Sequence, residues 1–113
     1  MPYILNGVSV ELPEPALKGG TLWVPLREVV ESLGGTIDWD PDNRVAIAYL
    51  ADKTATLKID DATADINGEQ SELQEAPYVE DGQTWVPVRF FNLVGQQISV
   101  NPQDKHVEMT TVV

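Results

Sequence analysis

The pentapeptide Trp23-Val24-Pro25-Leu26-Arg27 returns as Trp85-Val86-Pro87-Val88-Arg89, 62 positions further along the chain. Its surroundings return with it. Leu5-Asn6-Gly7 matches Ile66-Asn67-Gly68 and Leu12 matches Leu73 upstream; Gly34, Ile37 and Pro41 match Gly95, Ile98 and Pro102 downstream, where the offset has fallen to 61. The second copy is therefore one residue shorter between its Arg and its Gly. A unit about half of a 113-residue chain lies below the size that usually folds unaided, so two copies are expected to pool their apolar faces in one core. The pseudo-repeats run from about 3 to 50 and 64 to 113.

Each copy reads alike. Tyr3 to Leu5 and Val8 to Leu12 flank Asn6-Gly7, the dipeptide best suited to the positive φ angles of a two-residue hairpin turn; Ala62 to Ile66 and Glu69 to Leu73 flank Asn67-Gly68 in the same way. A Pro-containing loop then leads through a short strand into the Trp-Val-Pro segment, and Pro25 sits where a helix needs no amide donor. Leu26, Val29, Val30 and Leu33 fall at helical spacing on one face, with Glu28, Glu31 and Ser32 on the other. Gly34-Gly35 ends this helix, as Gly95 ends its counterpart. Thr36 to Trp39 and Val45 to Tyr49 alternate about the turn Asp40-Pro41-Asp42-Asn43, and Gln97 to Val100 and Val107 to Val112 do so about Asn101 to Asp104. Residues 54–59 read as a bridging strand. The expectation is a single α+β domain spanning 1–113, an internally duplicated set of antiparallel hairpins with two short helices packed on the sheet.

Composition narrows the function. Eighteen acidic against seven basic residues give a net charge of −11, which opposes nucleic acid and anionic lipid surfaces, both of which are bound through Lys and Arg. The absence of cysteine removes disulfides, thiolate chemistry and Cys-based zinc sites. No apolar run approaches the roughly 20 residues of a membrane helix, so no membrane insertion is expected. Met1 to Leu5 has neither the basic region nor the apolar core of a signal peptide, as in an excised or mature domain.

The doubled Asn-Gly hairpin, the Val-Pro-Leu-Arg and Val-Pro-Val-Arg segments, the helix ending in Leu33-Gly34-Gly35 and the Ile37-Asp38-Trp39-Asp40 hairpin together resemble the copper amine oxidase N-terminal-like domain family, from about Tyr3 to Val112. The second copy departs from the pattern: Val100-Asn101 replaces Trp-Asp, and Gln96-Gln97 stands where a small residue is usual. The resemblance implies a non-catalytic module of secreted or cell-surface bacterial proteins, placed beside wall hydrolases or other envelope domains. Its partners would be a cell-wall polymer or another envelope protein. It implies no cofactor either, since in the oxidases carrying such a domain the copper and the quinone belong to a larger domain. One histidine, His106, cannot supply a three-histidine copper site.

Individual residues offer modest chemistry. Asp38, Asp40 and Asp42 alternate as calcium ligands do, yet the sixth and twelfth places of such a loop hold Asn43 and Tyr49 instead of Gly and Glu. A hairpin turn is the better reading, and no metal site is expected. Arg27 and Arg89 are either forks for a carboxylate or pins that tie each helix to neighbouring acids or carbonyls; their matching placement favours the pins. For the three tryptophans core or edge packing is the favoured reading; if any stacks on a sugar, Trp23 and Trp85 are the better candidates, whereas Trp39, alternating with Ile37, reads as core. His106, beside Lys105, reads as a surface residue. No Ser, His and Asp arrangement is possible beyond this single imidazole, and nothing resembles a phosphate-cradling glycine loop. The expected function is an accessory binding module, with a spacer or self-association unit and a glycan binder using Trp23 and Trp85 as the alternatives; an enzyme is not expected.

Overall fold

In the computed structural model, which describes residues 3–112, the two pentapeptide strands lie side by side. Strand β4 (Thr21–Pro25) pairs antiparallel with β11 (Gln83–Pro87), and Trp23 faces Pro87, Val24 faces Val86 and Pro25 faces Trp85. Each is the inner strand of a hairpin: β3 (Ala16–Lys18) flanks β4 and β10 (Tyr78–Glu80) flanks β11, which gives a four-stranded sheet in the order β10-β11-β4-β3. The outer hairpin strands turn at Gly19-Gly20 and Asp81-Gly82, all four residues at positive φ, as such tight turns demand. Strand β4 is buried along its whole length.

Two further sheets draw on both ends of the chain. The Asn6-Gly7 hairpin, β1 (Tyr3–Leu5) and β2 (Val8–Val10), joins β12 (Gln96–Asn101) and β13 (His106–Thr111) in the order β12-β13-β1-β2. Here β1 runs parallel to β13, so the expectation of purely antiparallel pairing is corrected. Strands next to each other across a sheet but far apart in sequence are free of a hairpin's obligation to run antiparallel. The third sheet is β5 (Thr36–Asp40), β6 (Val45–Leu50), β7 (Lys53–Lys58), β8 (Thr63–Ile66) and β9 (Glu69–Glu72), in chain order and antiparallel throughout. The bridging strand expected at 54–59 is β7.

The Asn residues of the two Asn-Gly turns do more than permit the turn. Asn6 Oδ1 accepts from the Thr111 amide at 2.7 Å while its Nδ2 donates to Thr111 Oγ1 at 3.0 Å. Asn67 Oδ1 accepts from the Thr54 amide at 2.8 Å, and its Nδ2 reaches the Asp52 carbonyl. Each side chain thus extends the ladder between its hairpin and the neighbouring strand.

Helix α1 (Leu26–Ser32) buries Leu26, Val29 and Val30 and leaves Glu31 and Ser32 outside, as its spacing requires. Its end is a Schellman closure: the Gly35 amide reaches the Val30 carbonyl at 2.9 Å and the Gly34 amide reaches Glu31 at 3.0 Å, with Gly34 at φ 94°. The second helix, Val88–Val94, is a 3-10 helix closed by Gly95 in the left-handed region. One residue fewer must cover the distance to that glycine, and a 3-10 helix rises more per residue than an α-helix. The chain is mostly strand, in three sheets, with these two short helices packed into the core; Tyr3, Phe90, Phe91, Leu26, Leu57 and Met109 are its largest fully buried side chains. A Cα radius of gyration of 12.9 Å is that of one compact domain of this length.

Candidate functional site

Strand alternation decides which face a residue takes, but not how deep it lies. Ile37 and Trp39 do share a face of β5, opposite Ala48 and Ala46 of β6. Ile37 is half-buried, whereas Trp39 is 38% exposed, so its expected place in the core is corrected. β5 is the edge of its sheet, and Trp39 reaches past the end of the core into a cleft of about 240 Å³ between α1, the β5–β6 hairpin and the β10–β11 turn.

That cleft brings Trp39 together with Leu26, Arg27, Glu28, Val79 and Gln83. The floor is apolar, from Leu26, and Val79 is 39% exposed on edge strand β10. The rim is polar. Gln83 Nε2 donates to Glu28 Oε2 at 2.9 Å, linking the β10–β11 hairpin to the first turn of the helix. Arg27 Nη1 stands 3.8 Å from Glu31 Oε2 one turn along the same helix, both side chains about half exposed. A surface i,i+4 pair of this kind contributes about 0.3–0.5 kcal/mol, so the guanidinium stays available at the rim. An aromatic face beside a planar fork and an amide–carboxylate couple suits a hydroxyl- or amide-bearing ligand: the ring covers apolar C–H surface while the polar rim sets orientation.

The other expected site residues take different places. Trp23 is 5% exposed and offers no stacking face, in line with the core-packing reading and against its use as a platform. The sheet buries both faces of β4, and Trp23 meets Tyr78 edge-on, ring centroids 4.8 Å apart. Trp85 is half-buried within β11, between Tyr78 and Pro25 in the ladder. Arg89 is exposed on the 3-10 helix, with no acidic group within 4.0 Å among the described residues. Of the pinning expected of the two arginines, a tie to an acid on another element is not seen among the described residues: Arg27 pairs within its own helix and Arg89 with no acid. Arg27 and Trp39 converge on one cleft, and Trp23, Trp85 and Arg89 lie elsewhere.

The acidic turn is a hairpin device. Asp40 accepts from the amides of Asp42 and Asn43 at 3.1 and 3.3 Å and from Asn43 Nδ2 at 2.8 Å. These bonds, the Asn43 side chain's first, hold its carboxyl below the usual 3.8. Among the described residues no group of three His, Cys, Asp or Glu is placed to hold a metal ion. His106, the chain's one histidine, is half-buried with Nε2 3.2 Å from Glu108. A single imidazole beside a carboxylate does not fit a copper centre.

A hairpin-rich body of three sheets whose two pentapeptide strands pair at its middle, with an open aromatic cleft beside the first helix, defines a small β-rich module. The chain belongs to the copper amine oxidase N-terminal domain family, whose model it matches over residues 4–110. No curated protein matches it significantly.

Proposed function

We propose that the chain is an accessory module of a larger bacterial protein, extracellular or attached to the cell envelope, that holds a partner against its surface. The envelope setting follows the family resemblance; the contact mode follows the cleft. The carrying observation is Trp39, a large ring left 38% exposed in a concave, polar-rimmed site. At about 240 Å³ the cleft is smaller than sites that engulf a drug-sized ligand. That size favours a shallow grip on a polymer, a wall glycan first among the candidates. The two halves are proposed as equivalent units, a reading supported by the ladder that sets each pentapeptide against the other about Val24 and Val86.

Titrating soluble peptidoglycan fragments and secondary wall polymers while following tryptophan fluorescence tests this reading. A shift that is lost in Trp39→Ala, with affinity down about tenfold, is the expected result. No shift with either polymer, or an undiminished one in the variant, rejects it. Self-association through exposed sheet edges is the second reading, favoured by Val8, Leu17 and Val79, at 61%, 44% and 39% exposure on edge strands. Those strands are three residues long, and short edges are poor templates for pairing. An elution volume that depends on concentration decides for self-association.

A further inference from the structure

A sheet edge is a row of unpaired amides and carbonyls, and proteins guard it by keeping it short or by placing charge, proline or a bulge on it. Five of the outer strands here are guarded in one of these ways. β2, β3 and β10 have three residues each. β5 carries Asp38 and Asp40, and β9 carries Glu69 and Glu72. The sixth, β12, is different. It runs for six residues, Gln96-Gln97-Ile98-Ser99-Val100-Asn101, with no charge and no proline. Its register against β13 is unbroken from Gln96–Thr111 to Asn101–His106, so no bulge bends it away.

The ladder shows which backbone groups are open. The Val112 amide donates to the Gly95 carbonyl at 2.9 Å, just before β12 begins, which makes Gly95 and Val112 a hydrogen-bonded pair. Such pairs alternate in an antiparallel ladder. Gln97, Ser99 and Asn101 therefore turn their amides and carbonyls toward β13, and Gln96, Ile98 and Val100 turn theirs to the open side. No strand lies there. Ile98 and Val100 pack against the core yet remain half-buried.

We propose that β12 is the interface for a second copy of this chain, paired antiparallel to itself about a twofold axis at Ile98, so that two four-stranded sheets become one continuous sheet. The edge matches itself in this register. Ile98 meets Ile98 of the other copy, and Gln96 meets Val100, so all three outward-facing residues exchange their hydrogen bonds. Centring on Ser99 instead would set Gln96 against Pro102, which has no amide to give. The half-buried Ile98 and Val100 are covered by their counterparts. Charge selects the same edge: chains of net charge −11 repel one another, and the long uncharged strand is where they meet with least opposition. Behind it, β13 contributes one acid, Glu108, beside His106. This proposal rests on the self-association reading and gives it a specific edge. It leaves the Trp39 cleft open, since no residue of β12 lines it.

Sedimentation equilibrium from micromolar to near-millimolar protein, with amide hydrogen exchange at both ends of that range, is the test. A monomer–dimer equilibrium is expected, with the Ile98 and Val100 amides protected as concentration rises. In the proposed register Gln97 faces Ser99 of the other copy, and both side chains are exposed. Gln97→Lys with Ser99→Lys sets lysine against lysine twice and should weaken the dimer about tenfold, although it lowers the overall repulsion between the acidic chains. Gln97→Lys with Ser99→Glu sets opposite charges together and should restore the parent affinity. A parent that stays monomeric overturns both this proposal and the self-association reading. A dimer that the two lysines leave intact keeps self-association but moves it to another edge, and overturns the proposal alone. Equal weakening by both double variants contradicts the register and overturns it as well.

Discussion

Gly34 and Gly35 are adjacent glycines kept for different physical reasons. Gly34 holds a left-handed φ of 94° with open space where a Cβ would go. Gly35 has an ordinary φ, but a Cβ there would run into the Tyr49 carbonyl oxygen and come within 2.8 Å of Val30 Cγ1. Backbone cannot yield as a flexible side chain does, so Gly35→Ala is expected to cost about 1–3 kcal/mol, a fall in Tm of roughly 5–15 °C on thermal unfolding. The corresponding spot after Gly95 holds Gln96, 3% exposed, whose amide bonds Thr111 Oγ1 at 3.1 Å. A side chain is accommodated there, after a 3-10 helix instead of an α-helix. The replacement of a small residue by Gln96 is plain in the sequence; the change of helix type before it is not. The same limit governs the tryptophans. Alternation placed Trp39 correctly beside Ile37, yet its exposure depends on where α1 and the β10–β11 turn stop, a matter of packing between distant segments.

Among the elements, those with their own turn chemistry were legible and those without strong periodicity were not. Both Asn-Gly hairpins, α1, the paired strands about Asp40 to Asn43 and the bridging strand follow the expected bounds closely. Strands β3 and β10, three residues each, fall where the sequence reads as a Pro-containing loop and a short strand leading into Trp-Val-Pro, although Gly19-Gly20 and Asp81-Gly82 are hairpin dipeptides. Three residues carry too little alternation to outweigh the nearby prolines. The turn at Asp40 gives a pH prediction. Its hydrogen bonds to Asn43 and Asp42 lower the folded carboxyl's pKa, as those to Thr63 do for Asp61. A lowered folded-state value means stability that is present above the ordinary 3.8 and lost as pH falls below it. Asp40→Ala is thus expected to lower Tm by a few degrees at pH 7, and the gap from the parent protein should close as both are acidified below 3.8, read by differential scanning calorimetry. A gap that persists in acid contradicts a charge-dependent turn.

At the scale of the molecule, no half stands alone. The first hairpin closes against β13, the two pentapeptide strands pair at the centre, and β7 joins β5–β6 to β8–β9. The sharing of one core by two repeats was expected from their length; the exchange of hairpins between sheets was not, since strand order across a sheet leaves no local trace. The account as a whole depends on that interlocking, because the Trp39 cleft lies between segments from different halves of the chain. Urea unfolding of two variants, one retaining only Trp39 in the five-stranded sheet and one retaining only Trp23 in the central sheet, tests it most directly when each is also followed by circular dichroism. Within each variant the fluorescence and dichroism curves are predicted to coincide in a single transition. A sheet that melts at its own urea midpoint while the rest stays folded would contradict it.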